Sequence, residues 1–240
     1  MHQPNDPRFQ IYSLSERAIT IAFGTEISES LLIKVTNCQK LLAEQPFHGF
    51  ITAVPAYGNI TVYYEPLITI KSNLRGKSCL EKVSNYITDL LAQPVTENTT
   101  PSNTITIPVC YDDECGPDIA EVAKHHNITI NDVIRLHSSA IYKVYMIGFL
   151  PGFAYMGGLN IKLATPRKAT PRKIVPAGSV GIAGQQTGVY PLDSPGGWQL
   201  IGKTPISLFN INNTTPSFLK AGDDVIFKPI TANEFKTWAG

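Results

Sequence analysis

The sequence lacks a dominant charge. Twenty basic side chains face nineteen acidic ones, so the 240-residue chain carries a formal charge of +1. That excludes the long basic face on which phosphate-backbone binding depends, and with it a nucleic-acid partner. It excludes an acidic tail as well. Charge of either sign is scarce: 16% of residues are charged, against about 25% in an average soluble domain. Hydrophobic residues reach 43%, so the chain buries a core instead of staying disordered. No apolar run approaches the ~18 residues of a membrane span. The first residues, Met1 to Pro7, lack the basic-then-apolar pattern of a signal peptide. Cysteine is rare, and Cys38, Cys79, Cys110 and Cys115 show no Cys-x-x-Cys spacing and no adjacent histidine. That is the pattern of reduced structural thiols, and the expected location is the cytoplasm. Self-contained nucleotide motifs are missing: there is no GxxxxGK[ST], no GxGxxG and no protein-kinase signature.

What is present divides into two compositions. Residues 9–14 and 17–23 read as short strands around a polar turn. Ile27, Leu31, Val35, Cys38 and Leu42 then recur at helical spacing, and Pro46 ends that helix. Residues 50–54 and 60–64 read as an antiparallel pair of strands, joined through Pro55–Asn59. Leu80, Val83, Ile87 and Leu90 mark one side of a second helix. A sheet with two one-sided helices fits a small α+β sandwich of ferredoxin-like type. Residues 94–104 carry one large apolar side chain, Val95, and read as a linker. Beyond it come a strand at 105–111, a helix from Pro117 and a helix capped by Thr129 with Asp132 three residues on. A strand follows at 142–147. Between Gly148 and Gly202 lie eleven glycines, six prolines, five basic residues and one acid, Asp193. Short strands broken by turns at this density predict a β-barrel or sandwich and not a doubly wound sheet.

Three clusters in that segment bear on chemistry. Ala-Thr-Pro-Arg-Lys occurs twice in succession, at 164–168 and 169–173. The prolines hold the segment extended and present Arg167, Lys168, Arg172 and Lys173 along one loop. Guanidinium groups bind carboxylate or phosphate in a bidentate fork. A single Pro-Arg-Lys reads as a solvated loop; its repetition among glycines, with no acid nearby in sequence, favours an anion site. The second cluster runs from Gly184 to Pro191 and from Ser194 to Trp198. Here Gln186, Tyr190 and Ser194 are neutral hydrogen-bonding groups suited to an amide, and Gly196 and Gly197 can offer backbone N–H groups. Taken singly, these glycines are ordinary barrel turns. The third, Gly148 to Tyr155, interleaves aromatic rings with Gly and Pro and reads as a rigid apolar surface. His137 falls on the apolar side of its helix, where a hydrogen-bonded core histidine is the plain reading and a pocket edge the other. His125 and His126 read as surface. The 148–202 segment contains no Cys or His to hold a metal there.

At these residues the chain resembles a known family. The runs 134–138 and 144–153, the doubled Thr-Pro-Arg, and the runs 175–184 and 194–198 are similar to motifs of the allophanate-hydrolase-subunit-1, or carboxyltransferase-domain, family. That family includes the B subunit of the bacterial three-component 5-oxoprolinase and the Kip-type inhibitors of a sporulation histidine kinase. The motifs cover most of 105–210, whereas residues 1–100 match in layout and in fragments such as Ile60–Tyr64. The resemblance implies an α+β protein: a ferredoxin-like domain at 1–98, then a cyclophilin-like β-barrel domain at 99–240. It also implies a B subunit that works with two others, a separate A subunit, and a larger C subunit of related barrel fold. Together they open 5-oxo-L-proline to L-glutamate using ATP, with Mg, in the assembled complex. On that reading Arg167 and Arg172 take carboxylate or phosphate, Gln186 and Ser194 the lactam, and the Gly196 and Gly197 amides an oxyanion. Tyr190 and Trp198 form walls, and the candidates for catalysis are His137, Gln186, Tyr190 and Ser194. Two other classes stay open: an inhibitor that grips a sensor histidine kinase, and the carboxyltransferase component of a biotin-dependent urea-type carboxylase.

Overall fold

A computed structural model of the chain describes residues 9–26, 28–93 and 103–238. The expected linker at 94–104, apart from its last two residues, lies outside the described residues, as do Met1 to Pro7 and Ile27. The chain divides into two compact units, Met1–Thr100 and Pro101–Gly240.

The first unit contains β1 (Gln10–Ser15), β2 (Ala18–Ala22), α1 (Glu29–Glu44), β3 (Phe50–Pro55), β4 (Asn59–Tyr64), α2 (Pro66–Lys71) and α3 (Cys79–Leu91). Its sheet runs β1-β2-β4-β3, with every neighbouring pair antiparallel. Strands β2 and β3 are therefore parallel, with β4 between them and α1 as the crossover, which is the split β-α-β of a ferredoxin-like sheet. Strand β1 fills the edge that the last strand of such a sheet occupies. Ser28 caps α1 and Ser78 caps α3, each accepting a backbone N–H three residues on. The helical faces read from sequence pack onto the sheet: Val35, Cys38, Leu42, Val83 and Ile87 join Ile19, Ile21, Ile60 and Val62 in one core. The short α2 has too few residues to show a helical period, and Pro66 in its first turn is the sole local signal for it.

The second unit contains β5 (Thr104–Cys110), α4 (Ile119–His126), α5 (Ile130–Ser138), β6 (Ile141–Ile147), β7 (Ala154–Gly157), β8 (Arg172–Val175), β9 (Ser179–Ala183), β10 (Gln186–Val189), β11 (Ser194–Gly196), β12 (Gln199–Lys203), β13 (Asp224–Ile230) and α6 (Ala232–Lys236). Seven strands close a barrel in the order β10-β7-β6-β13-β5-β12-β9, while β8 and β11 form a separate two-stranded ribbon. The barrel core holds Ile107, Val109, Val144, Met156, Val180, Ile182, Val189 and Phe227, closed by Val122 of α4 and Val133 of α5. Thr129 and Asp132 form the expected capping box of α5.

Helix α4 is seated on β12 by backbone contact. Asp118 N–H donates to Leu200 O at 2.9 Å, and Gly116 lies so close that a Cβ there would meet Ile201 O at 2.3 Å. A backbone oxygen cannot step aside as a side chain can. Gly116→Ala is therefore expected to cost roughly 1–3 kcal/mol, read as a lower thermal midpoint, whereas Gly184→Ala at an open turn position loses only through its φ of +55°.

The four cysteines are free thiols. Burial pushes Cys38 up to about 12, so it is a packing residue and not a nucleophile. No helix among the described residues is long and apolar enough to cross a membrane.

Candidate functional site

The doubled Thr-Pro-Arg-Lys segment follows a short 3₁₀ turn at Ile161–Leu163 and runs between α4 and the β11–β12 stretch. Thr165 bridges to Gly184 at the β9–β10 turn, and its hydroxyl, which donates to Leu163 O, meets His126 Nε2 at 3.0 Å. Gln199 Nε2 donates to Pro166 O at 3.0 Å, and Lys168 N–H donates to Gly197 O at 2.8 Å. Arg172 then opens β8, paired with Gly196 of β11. The loop is extended, as its prolines require, but it is held at Thr165, Pro166, Lys168 and Arg172.

Its cations are not all free. Lys168 Nζ lies 3.0 Å from Asp118 Oδ1 and 2.9 Å from Glu121 Oε2, and Arg172 Nη2 lies 2.7 Å from the same Asp118 oxygen. The other Asp118 oxygen accepts the Leu200 backbone N–H at 2.7 Å. The sequence reading of a basic loop without acidic partners is thus corrected. The acids come from α4, some fifty positions earlier, and only the fold brings them there. Burial by itself would raise the Asp118 carboxyl, but the Arg172 hydrogen bond, the Leu200 N–H and Lys168 outweigh it and hold the carboxyl below its usual range. His126, expected on the surface, is half-buried against the loop.

Among the described residues, two donors of this assembly have no partner. Arg172 Nη1 and Ser194 Oγ are buried without a hydrogen bond, and Ser194 pairs with Val175 on the same ribbon on which Gly196 pairs with Arg172. Arg167 is exposed and makes no ion pair with an acid among the described residues. Its positive charge is felt by the phenols of Tyr155 and Tyr190.

Behind these groups lies a third core made of aromatic rings. Phe153 sits at its centre, with ring centroids 4.7 Å from Tyr155, 5.2 Å from Tyr190 and 5.5 Å from Trp198. Tyr190 and Trp198 are buried, at 1% and 4% exposure, so they form the floor of this region and not an open wall. Gly196 has a packing reason to be glycine, because a Cβ would stand 2.5 Å from Tyr190 Oη. The Gly197 carbonyl is engaged by Lys168. Gln186 begins β10, half-buried. Phe149 protrudes, 61% exposed with φ of +70°, from the turn that places Phe153.

His137 lies elsewhere, inside the barrel, with no exposure. Its Nδ1 meets Tyr111 Oη at 2.7 Å and its Nε2 meets Thr187 Oγ1 at 2.9 Å. Both ring nitrogens are committed, and its place among the catalytic candidates is taken by a core role. A cleft of about 210 Å³ lies within the loop 207–218, lined by Leu208, Phe209 and Phe218 among others. Its lining carries no acidic or basic side chain, in contrast to the basic loop. Sequence reasoning missed Asp118, whose one signal is its place just before a helix, where a capping role is the natural assignment. Among the described residues no three His, Cys, Asp or Glu side chains stand as a metal-binding group.

A two-unit chain with a closed barrel, an aromatic floor and a basic loop beside it matches one class of protein. The family described as carboxyltransferase domain, subdomain C and D, matches residues 9–219, and the chain belongs to that family. Within it, the chain is 43% identical over 232 residues to the 5-oxoprolinase B subunit of Bacillus subtilis, covering 96% of this chain and 97% of that one. It is 39% identical over 223 residues to the 5-oxoprolinase B subunit of Escherichia coli O157:H7, covering 92% and 96%. The solved structure of TTHA0988 superposes with a TM-score of 0.76 at 33% identity. That match takes in 90% of this chain but only 40% of the longer one.

Proposed function

We propose that this chain is the B subunit of a 5-oxoprolinase, which opens the lactam of 5-oxo-L-proline to L-glutamate. The observation that carries the reading is the 43% identity to such a protein over almost the whole of both chains. The substrate is a five-membered lactam with a carboxylate, and its resonance-stabilised amide makes hydrolysis demanding. ATP supplies a phosphoryl group that activates the lactam oxygen. Arg167 and the unpartnered Arg172 Nη1 fit an oxyanion of either reactant, and charge-assisted contacts of this kind stabilise charge that builds on carboxylate or phosphoryl oxygens. Ser194 Oγ, also unpartnered among the described residues, is a hydroxyl donor of the kind a lactam or phosphoryl oxygen accepts. The aromatic floor around Phe153 keeps water from the inner side of these groups. The chain has no self-contained nucleotide motif, so nucleotide binding and turnover belong to an assembly that adds an A subunit, together with a larger C subunit. ATP-dependent glutamate release from 5-oxoproline tests the reading. Turnover is expected only when the partner proteins are added, and the purified chain turning over alone, or an assembled complex without activity, would contradict it.

A further inference from the structure

Of the four cations of the repeat, Lys168 and Arg172 meet the carboxylates Asp118 and Glu121, whereas Arg167 and Lys173 make no ion pair with either. Asp118 is 3% exposed and accepts three donors: Arg172 Nη2, Lys168 Nζ and the Leu200 backbone N–H. It sits at the base of α4, outside the repeat, and touches both halves of it. Arg172 commits one terminal nitrogen to this carboxylate and keeps the other, Nη1, buried with no acceptor. Ser194 on the adjacent strand likewise keeps a buried hydroxyl without a partner. Leaving a guanidinium nitrogen and a hydroxyl desolvated and unpaired is costly. Two such donors on one two-stranded ribbon are a built feature that an incoming acceptor would satisfy.

We propose that Asp118 is a positioning residue for an oxyanion subsite, orienting Arg172 so that Nη1, with Ser194 Oγ and the exposed Arg167, takes a ligand's carboxylate or phosphate oxygen. Asp118 does not touch the ligand. It neutralises one edge of the guanidinium, fixes the plane of the fork, and holds Lys168 back on α4. The shared chemistry is a small oxyanion; whether it is the carboxylate of the lactam or a nucleotide phosphate rests on the oxoprolinase reading above, while the subsite itself does not.

Two experiments separate those questions. The first uses the full chain alone with inorganic phosphate as the probe. Trypsin can cut after Arg167, Lys168, Arg172 and Lys173, none of which precedes proline. In the wild type, cutting there is expected to be slow and to be slowed further by phosphate. Asp118→Asn is expected to speed it roughly tenfold or more, about the effect of losing one charge-assisted hydrogen bond, and to abolish phosphate protection. Asp118→Glu keeps the charge and should restore protection in part. Ser194→Ala covers the case in which the Asp118 variants do not fold, since it removes a hydroxyl that has no partner and so spares the fold. It should retain slow cutting but lose phosphate protection. The second experiment measures KM for 5-oxoproline at saturating ATP, and for ATP at saturating 5-oxoproline, in the assembled enzyme. A rise in the first KM assigns the oxyanion as carboxylate, and a rise in the second assigns it as phosphate. Wild-type protease patterns and phosphate protection in both Asp118→Asn and Ser194→Ala would overturn the proposal, as would variants that open the loop yet keep both KM values. An inactive wild-type assembly would instead overturn the oxoprolinase reading, and the phosphate arm would still decide the subsite.

Discussion

Replacing His137 with alanine is expected to destabilise the barrel by roughly 4–6 kcal/mol. The ring has no exposure and stacks on Phe227 with centroids 4.6 Å apart. Its hydrogen bonds have a fixed direction. Thr187 Oγ1 donates to Gly181 O, so it accepts from His137 Nε2–H, and Nδ1 then accepts the Tyr111 hydroxyl proton. Alanine would leave a cavity and a Tyr111 phenol without its partner in a dry core, while Thr187 Oγ1 would keep its bond to Gly181 O. The same network makes stability depend on pH. Burial lowers the His137 pKa to about 3, from an ordinary value of 6.5. The unfolded chain then binds a proton between these limits that the folded chain refuses. This contribution is fully present above pH 6.5 and is lost as pH falls toward 3, by up to about 1.4 kcal/mol per pH unit. Urea unfolding at about pH 7.5, 5.5 and 4.5 brackets that window and reads both effects. His137→Ala should be weaker at the highest pH and should show a shallower fall toward the lowest. Equal slopes for the two proteins would exclude His137 as the titrating group.

The fold is legible from local signals wherever burial is one-sided. The α1 and α3 faces, the Thr129 cap and the glycine-proline punctuation of 148–202 each follow from a period or a turn, and the sheet and barrel agree with them. What local pattern does not contain is sheet order. Strand β13 pairs in parallel with β5 across more than a hundred residues, and β1 takes an edge that no spacing marks. The short β8 and β11 read as loop because four and three residues show no alternation.

For the site, residue types are legible and their partners are not. The repeat announces Arg167 and Arg172 through composition. The division of labour between them is set by Asp118 and Glu121 from a distant helix, so it cannot be read from the loop. Tyr190 and Trp198 illustrate the converse. Their types suggest a ligand wall, but Phe153 packs edge-on against both, and they are consumed as core. Gly196 follows from that packing, being the residue opposite Arg172 that leaves room for Tyr190 Oη.

That division gives the second large effect. Arg167→Ala is expected to lower kcat/KM of the assembled enzyme roughly 10- to 150-fold, the equivalent of one charge-assisted hydrogen bond of about 1.5–3 kcal/mol. Its stability should change by less than ~0.5 kcal/mol, because the side chain is exposed and has no ion pair to lose. Arg172→Ala should lose activity by a similar factor and also about 1–3 kcal/mol of stability, since it strips a partner from a carboxylate that is only 4% exposed. Lys168 remains on Asp118 and the Leu200 N–H on its other oxygen, which keeps the loss below that of a fully orphaned charge. Arg172→Lys separates the two roles. It can keep an ion pair with Asp118 but has no second nitrogen to offer, so it should recover most of the stability and little of the activity. Lys168 is no control for these variants, because it is tied to Asp118 and Glu121; Lys173, exposed one residue beyond Arg172, is. Thermal unfolding and initial rates on the same preparations decide the matter. If Arg172→Lys restores stability and activity together, the guanidinium contributes only its bond to Asp118, and the oxyanion donor is Arg167 alone.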